Sequence, residues 1–396
     1  MARMDFGAAV RAAHGADPAA LPDLIGRLAG GFGATDVVLY LVDFQQVVLE
    51  PLPDRPAHME VPHREAVSST MAGRAFLEEQ PVTASRADGV RVWVPIAEGS
   101  DRTGVLALTV TDASPALLQQ CVEIGLLAGY LIAVHDRSTD LYGLYRRRRS
   151  LTLSASMQWD LLPPLVVRSP AIDIAGLIEP AYEVGGDCFD YAINGATADI
   201  ALFDPVGHSL HSALLAALAV GAYRHQRREG STLTQIHDGL DDAISEHFED
   251  LSFVTGLLAR LDLSSGTLHW TNAGHPPPLL LRRGAGARTL SCAPTVPFGL
   301  GRSLHRPARQ PPTVAADALE PGDGVLFFTD GAIEVRDAQG RALGSEGLAD
   351  LASRHLSHDP RPEQIVRHLA RAVLEYRQDN LADDASFVML TWKGRS

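Results

Sequence analysis

The stretch 183–191, which reads EVGGDCFDY, constrains the fold of this chain more than any other. Two glycines place bare backbone beside Asp187, and glycine lets the main chain approach a ligand closely. The predicted strands 172–177 and 199–203 flank this stretch, so we expect Asp187 at a turn between strands. Carboxylate and carbonyl oxygens are the ligands that Mg²⁺ and Mn²⁺ prefer. Taken alone, the same residues also describe an acidic turn that binds nothing.

Three further acidic motifs follow in order, each at the end of a predicted strand or in a turn. They contain Asp204, then Asp330, and then the adjacent pair Asp383 and Asp384. Adjacent carboxylates repel one another, so a buried pair is costly unless a cation neutralises it, whereas an exposed pair costs little. Acids that converge from separate strand ends can hold two divalent ions, which activate water and clamp a phosphate. The pattern therefore favours a two-metal phosphate-hydrolysing site.

The composition argues against several other kinds of site. The net charge of −14 disfavours non-specific nucleic-acid binding, which needs clustered Lys and Arg. The one basic run, 146–149, is interpreted as a solvated helix face. The cysteines Cys121, Cys188 and Cys292 form no CxxC pair, so the sequence predicts neither a zinc site nor a disulfide framework. The sequence also has no P-loop motif, which argues against a nucleoside triphosphatase.

Residues 1–135 have a pattern typical of one α+β domain. The predicted helices are 17–30, 67–78 and 115–135, and the predicted strands are 37–42, 47–49, 90–96 and 104–110. The N-terminus lacks a signal-peptide pattern, and the longest apolar run, 124–134, is interpreted as too short to cross a bilayer. We therefore expect a soluble, cytoplasmic protein without a membrane contact.

Parts of this domain resemble a known family. The sequence STMAGRAF at 69–76, the following residues 80–82, and the strand pair around 92–96 and 104–106 look like a GAF domain, over about residues 15–135. The resemblance implies either small-molecule binding or dimerisation, and both alternatives stay open. Cysteine and histidine residues here have no spacing that demands a haem, a bilin or a metal.

Residues 136–162 place apolar side chains at coiled-coil spacing, although Arg148 and Gln158 interrupt the seam. The segment is either a dimeric coiled coil or a single amphipathic helix that packs on the next domain. Pro163 and Pro164 end it, since proline lacks the backbone N–H that a helix needs. The predicted organisation is a GAF-like domain at 1–135, a helical linker at 136–164 and a C-terminal domain at 165–396.

Five motifs in order carry a second resemblance: VGGD, DPVGH, NAGHPPPLLL, PGD followed by FFTDG, and DDAS. Together they resemble the SpoIIE-like and RsbU-like branch of the PPM-type, metal-dependent serine/threonine protein phosphatases, over about residues 150–394. The resemblance implies a central β-sandwich flanked by helices, with a metal site at one end. It also implies two Mn²⁺ or Mg²⁺ ions, a water nucleophile, and a phosphoserine or phosphothreonine protein as substrate.

Individual site residues follow from the matched motifs. The implied metal ligands, which are also the implied catalytic residues, are Asp187, Asp204, Asp330 and Asp383. The resemblance adds the backbone carbonyl of Pro205 as a ligand, and Asp384 as the second choice beside its neighbour. Pro205 departs from the family pattern, which has small flexible residues there, because proline fixes φ. His208 and His275 have no partner at ligand spacing and are not expected to bind metal. The sequence does not predict the substrate-binding residues.

Relatives with an N-terminal sensor and a helical linker typically dephosphorylate small anti-sigma-factor antagonists, which makes such a phosphoprotein the expected substrate. We expect a signal-transduction enzyme that acts in sigma-factor regulation. Its GAF-like domain would receive a small-molecule or protein input, and the chain would form a homodimer. Two other functions stay open at this point: a catalytically silent dimeric sensor or scaffold, and a metal-dependent hydrolase of small phosphoesters.

Overall fold

The structure is a computed structural model, and it describes residues 6–53, 63–98, 101–179, 186–207, 210–248, 252–301, 311–376 and 384–394. The chain divides into two compact units, Met1–Ser150 and Leu151–Ser396. The division falls inside the stretch 136–164 that the sequence assigns to a linker.

The first unit is built around one antiparallel sheet. Its elements are α1 (Phe6–Ala13), α2 (Leu21–Gly30), β1 (Thr35–Val42), β2 (Val48–Leu52), β3 (Glu65–Ala66), α3 (Met71–Glu78), β4 (Val82–Arg86), β5 (Gly89–Glu98), β6 (Asp101–Val110), α4 (Pro115–His135) and α5 (Leu141–Tyr145). The six strands lie in the order β3-β2-β1-β6-β5-β4. Within β1, Leu39 and Leu41 face α2 and α4, whereas Tyr40 and Val42 face α3. Helices therefore cover both faces of the sheet, which explains why this strand is a continuous apolar run.

Helix α4 is longer than its most apolar run indicated. It spans 21 residues, and among the described residues it is the one helix long and apolar enough to cross a membrane by length and composition alone. The prediction that the run 124–134 is too short to cross a bilayer therefore considered only part of this helix. In the structure, Leu117, Ile124 and Ile132 of this helix pack in the core against the sheet. These contacts account for much of its apolar composition.

The prediction of one continuous helix over 136–162 is wrong. The chain is helical over Leu141–Tyr145 (α5) and again over Leu153–Leu161 (α6). Between these helices, the Arg146 carbonyl accepts a hydrogen bond from the Phe44 amide at 3.3 Å, and Arg146 Nε donates to the Val42 carbonyl at 3.0 Å. Because these bonds tie the backbone to the β1–β2 hairpin, the helix does not continue. The basic run 146–149 is accordingly not a helix face.

The second unit contains two antiparallel sheets and five α-helices among its described residues. Its elements are α6 (Leu153–Leu161), β7 (Val166–Arg168), β8 (Ile172–Glu179), β9 (Cys188–Asn194), β10 (Thr197–Pro205), α7 (Leu210–Arg228), α8 (Leu233–His247), β11 (Val254–Asp262), β12 (Thr267–Ala273), β13 (Leu279–Arg282), β14 (Gly286–Thr289), β15 (Ala315–Ala318), β16 (Gly324–Phe328), α9 (Gly344–His358), α10 (Pro362–Tyr376) and β17 (Ala385–Trp392). The sheet orders are β15-β12-β11-β10-β9 and β14-β13-β16-β17-β8-β7.

The two sheets pack face to face, and helices cover their outer faces. In β10, Ile200 and Leu202 lie in the core between the sheets, whereas Ala201 and Phe203 lie under α7 and α8. The outer face of the other sheet packs against α9 and α10. Central strands that are buried on both faces read as continuous apolar runs rather than alternating ones. The predicted β-sandwich flanked by helices is confirmed.

Candidate metal centre

The candidate ligands lie at one end of each sheet. Asp187 directly precedes β9, and Asp204 lies near the end of β10, which runs antiparallel to β9. Asp330 follows the end of β16, and Asp384 directly precedes β17, again an antiparallel pair. In an antiparallel pair, the start of one strand lies beside the end of the other. Two acids therefore come from each sheet. Asp383 lies outside the described residues.

The Asp187 carboxylate joins the two sheets. It is buried, with 4% of the residue exposed, and its Oδ2 accepts hydrogen bonds of 2.7 Å from Thr329 Oγ1 and from Ser386 Oγ. Both hydroxyls belong to the opposite sheet, at the end of β16 and the start of β17. Both hydroxyls bond the same carboxylate oxygen, so they hold the Asp187 side chain against the opposite sheet.

Neighbouring negative charge is the second feature of Asp187. Its pKa is raised well above the usual value, first because burial disfavours the charged form and then because Asp204 and Asp384 repel the charge. The two hydroxyl hydrogen bonds act in the opposite direction. Asp204 and Asp384 thus lie close enough to the buried Asp187 to repel its charge. A divalent cation relieves such repulsion.

Asp384 fixes the main chain that carries Asp187. Its Oδ2 accepts hydrogen bonds from Gly186 N at 3.0 Å, from Asp187 N at 3.2 Å and from Gln158 Nε2 at 3.0 Å. The turn after β16 also approaches Asp384 closely, because a Cβ at Gly331 would lie 2.0 Å from the Asp384 carbonyl oxygen. Only glycine allows this contact, which explains the Asp-Gly sequence of the FFTDG motif.

Thr255 lies between Asp204 and His275. Thr255 lies opposite Asp204 in the β10–β11 register, and its Oγ1 is 3.4 Å from both the carbonyl oxygen and Oδ2 of Asp204. The same Oγ1 is 2.8 Å from His275 Nδ1. On the other side of the ring, His275 Nε2 is 3.1 Å from the Phe328 carbonyl oxygen.

The tautomer of His275 follows from these partners. A carbonyl oxygen only accepts, so Nε2 carries the hydrogen and Nδ1 is the acceptor. Burial lowers the pKa of His275 to about 4, which keeps the ring neutral at pH 7. Thr255 then donates its single hydroxyl hydrogen to Nδ1 and has none for Asp204.

The NAGH motif is the turn that presents His275. The Asn272 side chain accepts from the His275 amide and donates to the His275 carbonyl, both at 2.8 Å. Gly274 has a φ of +67°, which disfavours any residue with a side chain. Both ring nitrogens of His275 face protein groups, whereas His208 lies outside the described residues.

Pro205 is the last residue of β10 and is buried. The following amide, Val206 N, donates to the Phe253 carbonyl at 3.0 Å, which holds this end of the strand beside β11. Gly207 then turns the chain with a φ of +86°. The role of the Pro205 carbonyl as a ligand stays a prediction.

The donor chemistry fits a hard divalent cation, since the candidate ligands offer oxygen atoms only. Within the described ranges, no group of three or more His, Cys, Asp or Glu side chains is already arranged to hold an ion. Asp204 and Asp384 nevertheless lie close enough to Asp187 to repel its charge. The residues that would hold a cation are Asp187, Asp204 and Asp330, together with Asp383 of the remaining motif.

Four supporting side chains were not predicted from the sequence. They are Thr329, Ser386, Thr255 and Gln158, and their contacts are described above. The two hydroxyls that bond Asp187 stand within two residues of predicted ligands, so an inspection of the flanking residues finds them. Thr255 and Gln158 lie far from the acidic motifs in sequence and come to the site only through strand register and helix packing.

Comparison with known proteins finds similar chains. The model of the family "Stage II sporulation protein E (SpoIIE)" matches residues 194–393. Phosphoserine phosphatase RsbU of Bacillus subtilis (strain 168) is 23% identical over 271 residues, which cover 68% of this chain and 78% of RsbU. Phosphoserine phosphatase RsbP of the same organism is 23% identical over 256 residues, which cover 62% of this chain and 58% of RsbP.

Two solved structures are similar in fold. The RsbU and RsbW domains of Rv1364c from Mycobacterium tuberculosis superpose with a TM-score of 0.51 at 26% identity, over 59% of this chain and 63% of that chain. The SiaA-PP2C domain of Pseudomonas aeruginosa superposes with a TM-score of 0.50 at 22% identity, over 60% of this chain and 93% of that chain. This chain thus spans less than two thirds of RsbP and of the mycobacterial chain.

The range matched by the family model covers about half of the chain, begins seven residues after Asp187 and includes Asp204, Asp330 and Asp383. The resemblance that the five motifs carried is thereby confirmed, and its sandwich is the fold of the PP2C domain above. This chain belongs to the SpoIIE family.

Proposed function

We propose that the chain is a metal-dependent protein serine/threonine phosphatase. The observation that carries the proposal is the position of Asp187, which is buried, bonded by hydroxyls of the opposite sheet and close to the charges of Asp204 and Asp384. Such a site is costly in a folded protein unless a cation uses it. The names of RsbU and RsbP, which are phosphoserine phosphatases, support the same reaction class.

The protein groups have distinct roles in this proposal. Asp187, Asp204, Asp330 and Asp383 would hold one or two Mn²⁺ or Mg²⁺ ions. A bound ion supplies positive charge that polarises a phosphate ester and lowers the pKa of a nucleophilic water. Thr329 and Ser386 orient the Asp187 carboxylate, and His275 keeps the Thr255 hydroxyl hydrogen away from Asp204. Metal sites depend on neighbouring groups of this kind, which orient the ligands.

The substrate class and the regulation are further parts of the proposal. We propose a phosphorylated regulatory protein of the anti-sigma-factor antagonist type as the substrate, in a cytoplasmic signalling role. The first unit would act as a GAF-like domain that receives a small-molecule or protein input, and the chain would act as a homodimer. The antiparallel sheet of the first unit, with helices on both faces, supports such a sensor, and the ligand of this unit is left open.

The test is hydrolysis of p-nitrophenyl phosphate with Mn²⁺, with and without a chelator. We expect chelator-sensitive turnover that falls at least about a hundredfold in Asp187→Asn, because loss of a ligand costs more than loss of a group behind one. Asp350→Asn is the matched control, since Asp350 is exposed on α9 and undergoes the same change of charge. Both variants should keep the circular dichroism spectrum of the unaltered chain.

Other outcomes separate the remaining functions. Turnover of the generic phosphoester without turnover of any phosphoserine protein would favour a small-phosphoester hydrolase. Absence of turnover on both substrates, in a chain that takes up Mn²⁺, would contradict the phosphatase and favour a silent scaffold. Equal turnover in Asp187→Asn would contradict the assignment of this site.

A further inference from the structure

The first unit has a groove of about 370 Å³ between the C-terminal half of α4 and the connection from α1 to α2. Leu127, Leu131 and Val134 line it from α4, and residues 13–16 and Pro18 supply most of the rest. Val134 is 63% exposed, so part of this apolar wall faces water. Pockets that bind small molecules have volumes of about 300–1,000 Å³ and apolar walls with a few polar groups. The groove has the size and the walls of such a site.

His135, the last residue of α4, is a buried polar side chain in the lining of this groove. Only 9% of the residue is exposed. Its Nδ1 is 3.2 Å from the Tyr142 hydroxyl, and that hydroxyl is 3.0 Å from the Pro18 carbonyl oxygen. A carbonyl oxygen only accepts, so Tyr142 donates its single hydrogen to Pro18. His135 Nδ1 therefore carries a hydrogen and donates it to the Tyr142 oxygen.

The other ring nitrogen of His135 is left for a ligand. Nε2 has no hydrogen-bond partner in the part of the chain that the structure describes, and it is not sealed from solvent. Burial lowers the pKa of His135, against a smaller opposite effect of Asp17, so the ring is neutral at pH 7. In a neutral ring with its hydrogen on Nδ1, Nε2 is an acceptor. A molecule in the groove that carries an O–H or N–H group can therefore donate to Nε2.

The imidazole ring is held in place by its neighbours before any ligand binds. Tyr142, which bonds Nδ1, is 1% exposed. The Asp17 carboxylate accepts from the Ala19 amide at 2.9 Å and so fixes the turn that carries Pro18. Ser138 Oγ donates to the His135 carbonyl at 3.1 Å. Because the ring is already ordered, a ligand loses little affinity to ordering it.

The residues of the groove also indicate the chemistry of its ligand. Among the described residues that line it, none is an Asp, Glu, Lys or Arg. A charged molecule would lose water there without gaining a charged partner, which is unfavourable. The lining therefore favours an uncharged ligand that is mostly apolar.

We infer that this groove binds a small, uncharged, mostly apolar molecule with one O–H or N–H group, which donates to His135 Nε2. Leu127, Leu131 and Val134 would cover its apolar part. The inference rests on the proposed function only in one respect, because it takes the first unit to receive a small-molecule input. The groove lies on the side of the sheet that α2 and α4 cover, and not on the side of α3.

The test compares two probes on the full 396-residue chain. Indole is flat, apolar and has a single N–H, whereas benzofuran has nearly the same shape and no donor. Saturation-transfer NMR titrations at pH 7 give both Kd values. His135→Phe keeps an aromatic ring and removes both nitrogens. In this variant we expect the Kd of indole to rise by about 2–10-fold, the usual effect of one hydrogen bond, and the Kd of benzofuran to stay the same.

An indole-to-benzofuran ratio of Kd values that is the same in both chains would overturn the inference. If His135→Phe does not fold, Val134→Ser takes its place, because Val134 is exposed and its loss leaves the core intact. The Kd of indole should then rise by about 2–5-fold, since part of the apolar wall is gone. Unchanged binding in Val134→Ser would also overturn the inference.

Leu126→Ser is the matched control, because Leu126 is exposed on the same helix but does not line this groove. Its Kd for indole should equal that of the unaltered chain, and weaker binding in this variant alone would place the probe elsewhere and overturn the inference. A second copy of the chain in the groove would exclude indole, and sedimentation would then show a dimer that Val134→Ser weakens, which also overturns it.

The titrations need no turnover. A chain that binds indole as expected and hydrolyses no phosphoester would therefore contradict the proposed phosphatase and support the inference. An active phosphatase that binds neither probe would overturn the inference alone.

Discussion

At His275, one ring nitrogen faces the Phe328 carbonyl and the other faces the Thr255 hydroxyl. Because a neutral imidazole has one donor and one acceptor, this pair of partners leaves a single arrangement of hydrogens. A protonated ring would have two donors, and Thr255 would then turn its own hydrogen elsewhere. Whether Thr255 donates its hydrogen to Asp204, whose Oδ2 is 3.4 Å from Thr255 Oγ1, thus depends on whether His275 is neutral.

We predict that His275 makes the second unit less stable in acid. Its pKa is lowered by burial from 6.5 to about 4. Above pH 6.5 the ring is neutral in both the folded and the unfolded chain, so its full contribution is present. Between pH 6.5 and pH 4 the unfolded chain takes up a proton that the folded chain refuses, and about 3 kcal/mol of stability is lost. Urea unfolding of the unaltered chain and of His275→Gln, at pH 7 and pH 4.5, measures this difference.

The advantage of the unaltered chain over His275→Gln should shrink as the pH falls. His269→Gln is the control, because His269 is exposed on β12 and should leave the pH dependence unchanged. Parallel pH dependences for His275→Gln and the unaltered chain would contradict a neutral, buried ring.

The acidic residues of the site were predictable from sequence, whereas their supports were not. Asp187, Asp204 and Asp330 each stand at a strand end beside a glycine or another turn residue, and the structure places them there. Thr255 enters through the pairing of β10 with β11, a long-range register that local patterns do not specify. Gln158 was visible only as a polar interruption of an apolar seam, and its burial against Asp384 explains that interruption.

At the scale of elements, the turn after β16 has the tightest steric requirement. We predict that Gly331→Ala destabilises the second unit by about 1–3 kcal/mol or more, because the added methyl would lie 2.0 Å from the Asp384 carbonyl oxygen. Gly221→Ala is the control, since a Cβ at Gly221 on α7 meets no atom within 4 Å. It should stabilise the second unit by about 0.5–1 kcal/mol, because alanine is more favourable than glycine inside a helix. Urea unfolding measures both, and a Gly331→Ala chain of unchanged stability would show that the turn can relax.

Predictions of elements succeeded where packing follows the local pattern. The strands 172–177 and 199–203 were predicted from their apolar runs, and they are present as β8 and β10. Strand β9 was not predicted, because Asp190 makes its sequence look polar. In the structure, the buried Asp190 forms ion pairs with Arg224 and Arg227, which compensate the burial of its charge. The helix over 136–162 was overextended, because the hydrogen bonds of Arg146 to the β1–β2 hairpin are tertiary contacts that no local pattern shows.

At the scale of the whole molecule, we predict that Mn²⁺ stabilises one unit and not the other. All candidate ligands belong to Leu151–Ser396, so calorimetric unfolding should show a transition that Mn²⁺ raises and another that it leaves unchanged. At about 100 times its Kd, a ligand adds about 2.7 kcal/mol, which corresponds to about 5–10 °C for a unit of this size. Asp187→Asn should abolish the shift. Equal shifts of every transition would contradict a site confined to the second unit.

The origin of the ligands in two separate sheets has a kinetic consequence. Neither β9 with β10 nor β16 with β17 brings the full set of acids together, and the hydroxyls of Thr329 and Ser386 reach Asp187 only across the sandwich. A cation therefore meets its complete set of ligands after the sheets have docked, late in folding. Interactions that form after the transition state slow unfolding and leave the folding rate nearly unchanged. The ion would therefore slow the unfolding of the docked sandwich and would not speed its folding.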